Sequence, residues 1–275
     1  LTLRIAIVAD IHYGAPSHTK RGDTALSLLA RFADWANAEA PDLVLDLGDR
    51  ISDVDEATDL VLEVEVAEVF QRIKAPVYHV CGNHDRDNLS VTQNEEILGQ
   101  NLQNKLLDFQ DWQIALWRAD AKITCTPERR GFDLPETDLL WLSRMMQVAT
   151  KPTLVVSHVP VSGHAQTGNY YFQRSPESSR YPQSDRVRRV LGQARVPVVC
   201  LAGHVHWNTV TTVDGIPHMT QQSLTESFTT QGAPAEAWGM LTLTNTAHWE
   251  VFGHDPFEAR VTPHAARWIP SMELA

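Results

Sequence analysis

Three short apolar runs, Leu3-Arg4-Ile5-Ala6-Ile7-Val8-Ala9, Leu43-Val44-Leu45-Asp46-Leu47 and Val77-Tyr78-His79-Val80-Cys81, are separated by two stretches of helical periodicity. Strand, helix, strand, helix, strand at this spacing predicts βαβ units of a parallel sheet. A right-twisted strand feeding a right-handed helix packs back onto its sheet in one hand only. The first helix is expected to start at an Asp23 N-cap, to carry Leu28, Leu29, Phe32, Trp35 and Ala36 on one face, and to stop at Pro41. The second is expected to be capped by Ser52 or Asp53, with Ala57, Leu60, Val61, Val64, Ala67 and Phe70 as its apolar stripe. The third run reads as a buried strand of the same sheet.

The rhythm loosens in the middle of the chain, where Trp112 to Trp117 predicts a strand and Pro135 to Val148 a helix. It returns with a strand at Thr153-Leu154-Val155-Val156-Ser157, a helix from Ser184 to Ala194 and a strand from Val196 to Ala202. Beyond His206 shorter alternating runs predict antiparallel strands at Thr209 to Val213, Ile216 to Thr220 and Met240 to Leu243, with Asp214-Gly215 as a hairpin turn. Pro256, Pro263 and Pro270 break any later pattern. The expected organisation is one domain over 1–253 and an extended strap or mobile end over 254–275.

With 275 residues, 43% of them apolar, the chain can bury a large core. A formal charge of −11 without a basic face argues against holding nucleic acid polymer by phosphate neutralisation. It leaves a small anionic substrate open, since a bound metal supplies local positive charge. Cys81, Cys125 and Cys200 are odd in number and lack paired spacing, so no disulfide framework is expected. No apolar run approaches the roughly 18 residues of a membrane span, and the first residues read as a strand, not a leader. The expectation is a cytoplasmic protein without a transmembrane segment. Arg21-Gly22-Asp23 and the sequon Asn88-Leu89-Ser90 are short enough to arise by chance.

Polar clusters close five of the strands: Asp10 with His12, Asp49, Asn83 with His84 inside Gly82-Asn83-His84-Asp85, His158, and His204 with His206. Each alone reads as a cap, a turn or a solvated ring. Together they put carboxylate, imidazole and amide donors at one sheet edge, where open α/β sheets bind ligands. That gathering has no packing purpose, and divalent metals require it. If both pairs lie on extended backbone, Asp10 with His12 and His204 with His206 each face one cluster.

Asp-x-His, Gly-Asp, Gly-Asn-His-Asp, a later isolated His and Gly-His-x-His, in this order over roughly 3 to 210, resemble the signature of the calcineurin-like metallophosphoesterases. The later spacing is most similar to the branch of class III cyclic nucleotide phosphodiesterases and glycerophosphodiesterases. The resemblance implies an α/β fold, a four-layer α/β/β/α sandwich of two packed mixed sheets. It implies one metal on Asp10, His12 and His206, a second on Asn83, His158 and His204, and Asp49 bridging them. It also implies catalysis by a hydroxide shared between the ions, with Asp49 and His84 catalytic and with Asn83, His84 and His204 on the phosphate. The expected cofactors are two divalent or mixed-valence ions, Mn or Fe before Zn or Co.

His84 is read either as general acid or as phosphate clamp, with Asp85 orienting it. Asp46 is read as orienting a ligand imidazole or as a structural carboxylate, and Arg50 as pairing with Asp53 or binding phosphate. His79 is expected to be a satisfied buried histidine, and His18, His164, His218, His248, His254 and His264 to be ordinary. The polar loop from Pro160 to Pro182 reads as a lid in which Tyr170 and Tyr171 border the leaving group or anchor the loop. The leading function is a phosphodiesterase for a small diester, a cyclic nucleotide or glycerophosphodiester. The alternatives are a phosphomonoesterase, a phospholipase C-like head-group hydrolase, and a non-catalytic scaffold. The tail and last strands are the places for a homo-oligomer contact.

Overall fold

The computed structural model describes residues 2–126 and 130–267. Its first half alternates β1 (Leu3–Val8), α1 (Ala25–Glu39), β2 (Leu43–Asp46), α2 (Glu56–Phe70) and β3 (Val77–His79), followed by the short α3 (His84–Asp87) and α4 (Val91–Leu98). Then come β4 (Lys105–Asp108), β5 (Gln113–Leu116), the hairpin β6 (Ile123–Cys125) and β7 (Arg130–Phe132), α5 (Glu136–Val148) and β8 (Thr153–Ser157). The chain continues through α6 (Ser184–Leu191), β9 (Val198–Ala202), β10 (Thr209–Val213), β11 (Ile216–Thr220), β12 (Trp238–Leu243), β13 (Ala247–Phe252) and β14 (Phe257–Val261).

Two six-stranded mixed sheets result, ordered β14-β13-β12-β1-β2-β3 and β10-β11-β9-β8-β5-β4. Strand alternation builds the layers. Ile5, Ile7, Leu43 and Leu45 of one sheet meet Ile114, Leu116, Leu154, Val156, Val199 and Leu201 of the other, while Ala6, Val8 and Val44 turn outward onto Leu28, Leu29 and Phe32 of α1. On the far side Ala115, Val155, Val198 and Cys200 pack against Leu139, Leu142 and Met146 of α5 and Val187 and Leu191 of α6. The order is therefore helices, sheet, sheet, helices. Parallel pairing of β1 with β2 and β3, and of β5 with β8 and β9, sends the carboxyl ends of these strands to the site.

Several local expectations need correction. Asp23 lies inside a 3₁₀ turn, Gly22–Thr24, and Thr24 stands at the cap position of α1 without a side-chain cap bond. The turn is tight because Gly22 lies against the His12 carbonyl, where a Cβ would come within 2.4 Å of the oxygen. Asp55, not Ser52 or Asp53, caps α2, accepting from Thr58 N at 2.8 Å. The buried face of α2 holds Asp59 and Glu63 beside Val66, Ala67 and Phe70, and leaves Val61 and Val64 58% and 42% exposed. Buried carboxylates are tolerated there because Glu63 meets Arg50 and Asp59 accepts from Val54 N and Asn88 Nδ2. β3 is an edge strand, with Val77 and Tyr78 half-buried.

Asp214 (φ 53°) and Gly215 (φ 86°) close the β10–β11 hairpin as expected. The tail contributes more than a strap: β14 pairs with β13 from Val251↔Phe257 to Ala247↔Val261, so a boundary at 253 cuts across a ladder. Further on, Val198 N donates to His264 O at 3.0 Å. Pro270 and the rest of the tail lie outside the described residues. Cys81, Cys125 and Cys200 are free, and among the described residues no helix is long and apolar enough to cross a membrane.

Candidate metal centre

The residues that follow β1, β2 and β9 leave their strands on left-handed backbone: Asp10 (φ 50°), His12 (51°), Asp49 (55°), His204 (69°) and His206 (56°). The extended geometry expected for the Asp-x-His and His-x-His pairs is thus replaced by single left-handed residues, each costing on the order of 1–3 kcal/mol. What holds them is hydrogen bonding to neighbouring loops. Asp10 N donates to Gly48 O at 2.9 Å and His12 N to Asp49 O at 2.9 Å. His204 N donates to both Asp10 oxygens, at 3.0 and 2.9 Å.

Two groups of donors converge, Asp10, His12, Asp49 and His206 in one and Asp49, His158 and His204 in the other. Within each group the donor atoms lie within 4.8 Å of one another, and every member is buried. Asp49 is common to both. One nitrogen of three imidazoles is committed to a fixed acceptor, which sets the tautomer. His158 Nδ1 donates to Leu47 O at 2.7 Å, His204 Nε2 to Ser178 O at 3.0 Å and His206 Nδ1 to Glu226 Oε2 at 2.8 Å. Their other nitrogens turn into the cluster. His204 Nδ1 is buried without a hydrogen-bond partner. His158 Nε2 lies 3.5 Å from Asp49 Oδ2 and 3.4 Å from Asn83 Oδ1. His206 Nε2 lies 3.5 Å from Asp10 Oδ1 and only 2.9 Å from His12 Nε2, an approach two bare lone pairs resist and a shared cation or proton relieves. The donor set therefore fits two cations with oxygen and nitrogen ligands.

Behind the cluster, Asp85 does a different job from the one expected. Its carboxylate accepts from Gly82 N (2.8 Å), Asp49 N (2.9 Å) and Arg50 N (2.7 Å), binding the Asp49 loop to the Asn83 loop, and it does not orient His84. Gly82 is required by close approach, since a Cβ there would lie 2.1 Å from Asp49 Oδ1. Arg50, fully buried, pairs with Asp46 at 2.9 Å, Asp85 at 3.2 Å and Glu63, not with Asp53, and has no exposed face for phosphate. Asp46 holds His79 Nδ1 at 2.9 Å and accepts from Gly48 N, which settles it as structural and His79 as a satisfied buried histidine.

His84 fronts the cluster, 4.0 Å from Asp49 Oδ2 through Nε2, while its backbone N donates to Asp49 Oδ1 at 2.9 Å. Its Nδ1 meets Asp53, the carboxylate read from sequence as a helix cap. Lys20 Nζ lies 3.5 Å from His84 Nε2. These groups open into a cleft of about 660 Å³ walled by Phe132 of β7, Phe172, Ser178 and Tyr171. The loop from 160 to 182 is tied down at several points: Asn169 Nδ2 donates to Val205 O at 2.7 Å, and Tyr171 OH meets Thr19 Oγ1 at 2.8 Å. Tyr171 lines the cleft, whereas Tyr170 is 56% exposed and stacks on Phe228 outside it.

The protein's own side chains pull the imidazoles apart. Burial lowers His12 and, aided by the His158 charge, brings His204 down to about 3. Burial also opposes charge on His158 and His206, but Asp49 raises the first to about 9, and Asp10 with Glu226 raises the second to about 9. Asp49, although buried, is held well below the usual carboxylate range by His158, His84 and His12. Burial lowers Lys20, with Asp49, Asp53, Glu226 and Asp10 acting against it.

Sequence reasoning missed Glu226, Asp53 at His84, Lys20 and the β6–β7 wall. The run Gln221 to Ser227, polar apart from Leu224, is wholly buried in the fold, and nothing in the sequence marks Glu226 within it. It lies along the first site loop, where Ser223 Oγ donates to Asp10 O (2.6 Å) and Thr225 Oγ1 to Ile11 O (3.0 Å).

A dimetal phosphatase from Danio rerio superposes with a TM-score of 0.75 at 16% identity, covering 94% of this chain and 98% of that one. The Plasmodium inner-membrane-complex anchor GAP50 gives 0.59 at 12%, covering 97% and 90%, and a 5′-nucleotidase assignment from Staphylococcus aureus gives 0.55 at 13%, covering 98% and 56%. These likenesses establish the fold. No curated protein matches the sequence. The calcineurin-like phosphoesterase profile matches residues 3–208, the span that carries every donor of the two groups. The chain therefore belongs to the calcineurin-like phosphoesterase family.

Proposed function

We propose that the chain hydrolyses a small phosphodiester, of the class of cyclic nucleotides or glycerophosphodiesters, with two ions of Mn or Fe. The observation that carries this reading is the pair of buried donor groups sharing Asp49. Asp10, His12 and His206 would hold one ion, and Asn83, His158 and His204 the other, with Asp49 between. Bound there, such a pair polarises a phosphoryl oxygen and makes water acidic near neutral pH.

The remaining work falls to this chain's own residues. His84 gives Nδ1 to Asp53, which fixes the ring, and turns Nε2 to the cleft, where a proton on that nitrogen can be donated to a phosphoryl or departing oxygen. Phe132, Phe172 and Tyr171 offer an apolar wall to the leaving group. A cleft of about 660 Å³ suits a small ester and not a polymer. Three free cysteines accord with a cytoplasmic setting. An anchor protein shares the fold, so it is the intact donor set, not the architecture, that favours catalysis over a scaffold role.

The test is a substrate panel run with Mn²⁺ and after chelation: 3′,5′- and 2′,3′-cyclic nucleotides, glycerophosphodiesters, phospholipids and phosphomonoesters. Diester turnover that disappears on chelation and returns with metal is expected. Faster turnover of monoesters or phospholipids moves the assignment to the corresponding hydrolase. Metal-loaded protein inert on the whole panel rejects the enzyme.

A further inference from the structure

We propose that Lys20 binds the phosphoryl oxygens of the substrate, an assignment that rests on the phosphoester-hydrolase reading of the same cleft. Lys20 is 7% exposed, yet no carboxylate among the described residues stands within ion-pair distance of Nζ. Among the described residues the hydrogen bonding of Nζ is confined to the 3.5 Å contact with His84 Nε2. An ammonium carries three donors, so most of its capacity faces the cleft it shares with Asp49, His84, His204 and His206. Burying a charge this way is costly unless a partner arrives.

The position is built, not incidental. Lys20 N donates to Ser17 O at 2.9 Å and Ser17 N returns to Lys20 O at 3.1 Å, which closes the loop around it. Arg21 N donates to Thr225 O at 3.0 Å, Ser227 Oγ donates to Thr19 O, and Thr19 Oγ1 meets Tyr171 OH. The loop is thus tied both to the segment bearing Glu226 and to the wall of the cleft. A compact ammonium meets a tetrahedral anion as a point charge, without the planar fit an arginine demands.

The experiment measures inorganic phosphate binding to Mn²⁺-loaded protein by calorimetry, with metal content determined for each variant. Lys20→Met is expected to weaken phosphate about 10- to 100-fold, the loss of one charged hydrogen bond, and Lys20→Arg to recover most of it. Mn²⁺ affinity should stay level or tighten, because a repelling charge has gone. Phosphate affinity within about twofold of wild type overturns the assignment, and so does loss of Mn²⁺ together with phosphate, which would make Lys20 a support of the donor cluster. Lys20→Gln, read the same way, decides the question if the methionine variant does not fold. Wild-type protein that neither binds phosphate nor turns over any ester fails the hydrolase reading itself, a pattern distinct from a silent Lys20 substitution.

Discussion

Two buried cations flank the donor cluster, and they are treated in opposite ways. Arg50, behind it, has its guanidinium enclosed by Asp46, Glu63, Asp85, the Val80 carbonyl and Asn94 Oδ1. Lys20, in front, has one side-chain hydrogen-bonding contact among the described residues, 3.5 Å long. A charge whose every donor is answered inside the protein is mortar between loops, while a charge left short of acceptors is a receptor for something that comes and goes. The contrast separates the part of the site that must not move from the part that meets substrate.

The largest expected effect comes from breaking the closed side. Arg50→Met leaves Asp46, Asp85 and Glu63 buried without their cation and should cost about 3–5 kcal/mol of unfolding free energy in a denaturant titration. It should also weaken metal binding, because Asp85 then repels the carboxylates around it while still holding the Asp49 and Asn83 loops. The Lys20 variants should leave unfolding nearly unchanged. Equal destabilisation at both positions would erase the contrast.

A second effect concerns protons on the cluster between the two cations. His158 and His206 stand at about 9 in the fold, above the usual histidine value of about 6.5, so the folded protein holds more protons than the unfolded chain between those limits. Their contribution to the stability of metal-free protein is complete below about 6.5 and is lost as pH rises through 9. Metal binding runs the other way, since each ion requires bare nitrogens. Mn²⁺ affinity should climb with pH across this window by up to about tenfold per pH unit for each proton displaced, and flatten above it. Calorimetry in buffers of different ionisation enthalpy would count the protons released, and a pH-independent affinity would contradict the assignment of His158 and His206 as ligands.

How much of this was legible in the sequence follows from where each signal lives. The βαβ rhythm and the strand-end donors are local, written in periodicity and spacing, and Asp10, His12, Asp49, Asn83, His158, His204 and His206 do converge. The supports are not local. Asp53 looks like a cap until folding brings His84 to it from 31 residues away, and Asp85 looks like a partner for its neighbour until three backbone amides claim it. The α2 stripe was misjudged because Arg50, invisible as a core residue in sequence, recruits Glu63 to the inner face. Lys20 carries no sequence signal at all; only the loop closed by Ser17 and the segment around Thr225 place it in the cleft.

The smallest effect sharpens the open side. Glu226 accepts from His206 Nδ1, and its strand-like segment bridges to Lys20, so one carboxylate steadies both a proposed ligand and the proposed phosphate contact. Its second oxygen takes Ser227 N at 2.6 Å and Phe228 N at 3.1 Å, which fixes its orientation. Glu226→Gln preserves shape and one accepting oxygen but removes the charge that makes His206 a strong donor. Loss of such a support costs about 10- to 100-fold in metal affinity, and the retained amide places this variant near the lower figure. The negative charge that partly offsets Lys20 is removed at the same time, so phosphate should bind slightly tighter per loaded protein, not weaker. Unchanged metal affinity in Glu226→Gln would show that His206 needs no such support, and weaker phosphate binding at full metal loading would show that Glu226 positions Lys20 instead of merely balancing its charge.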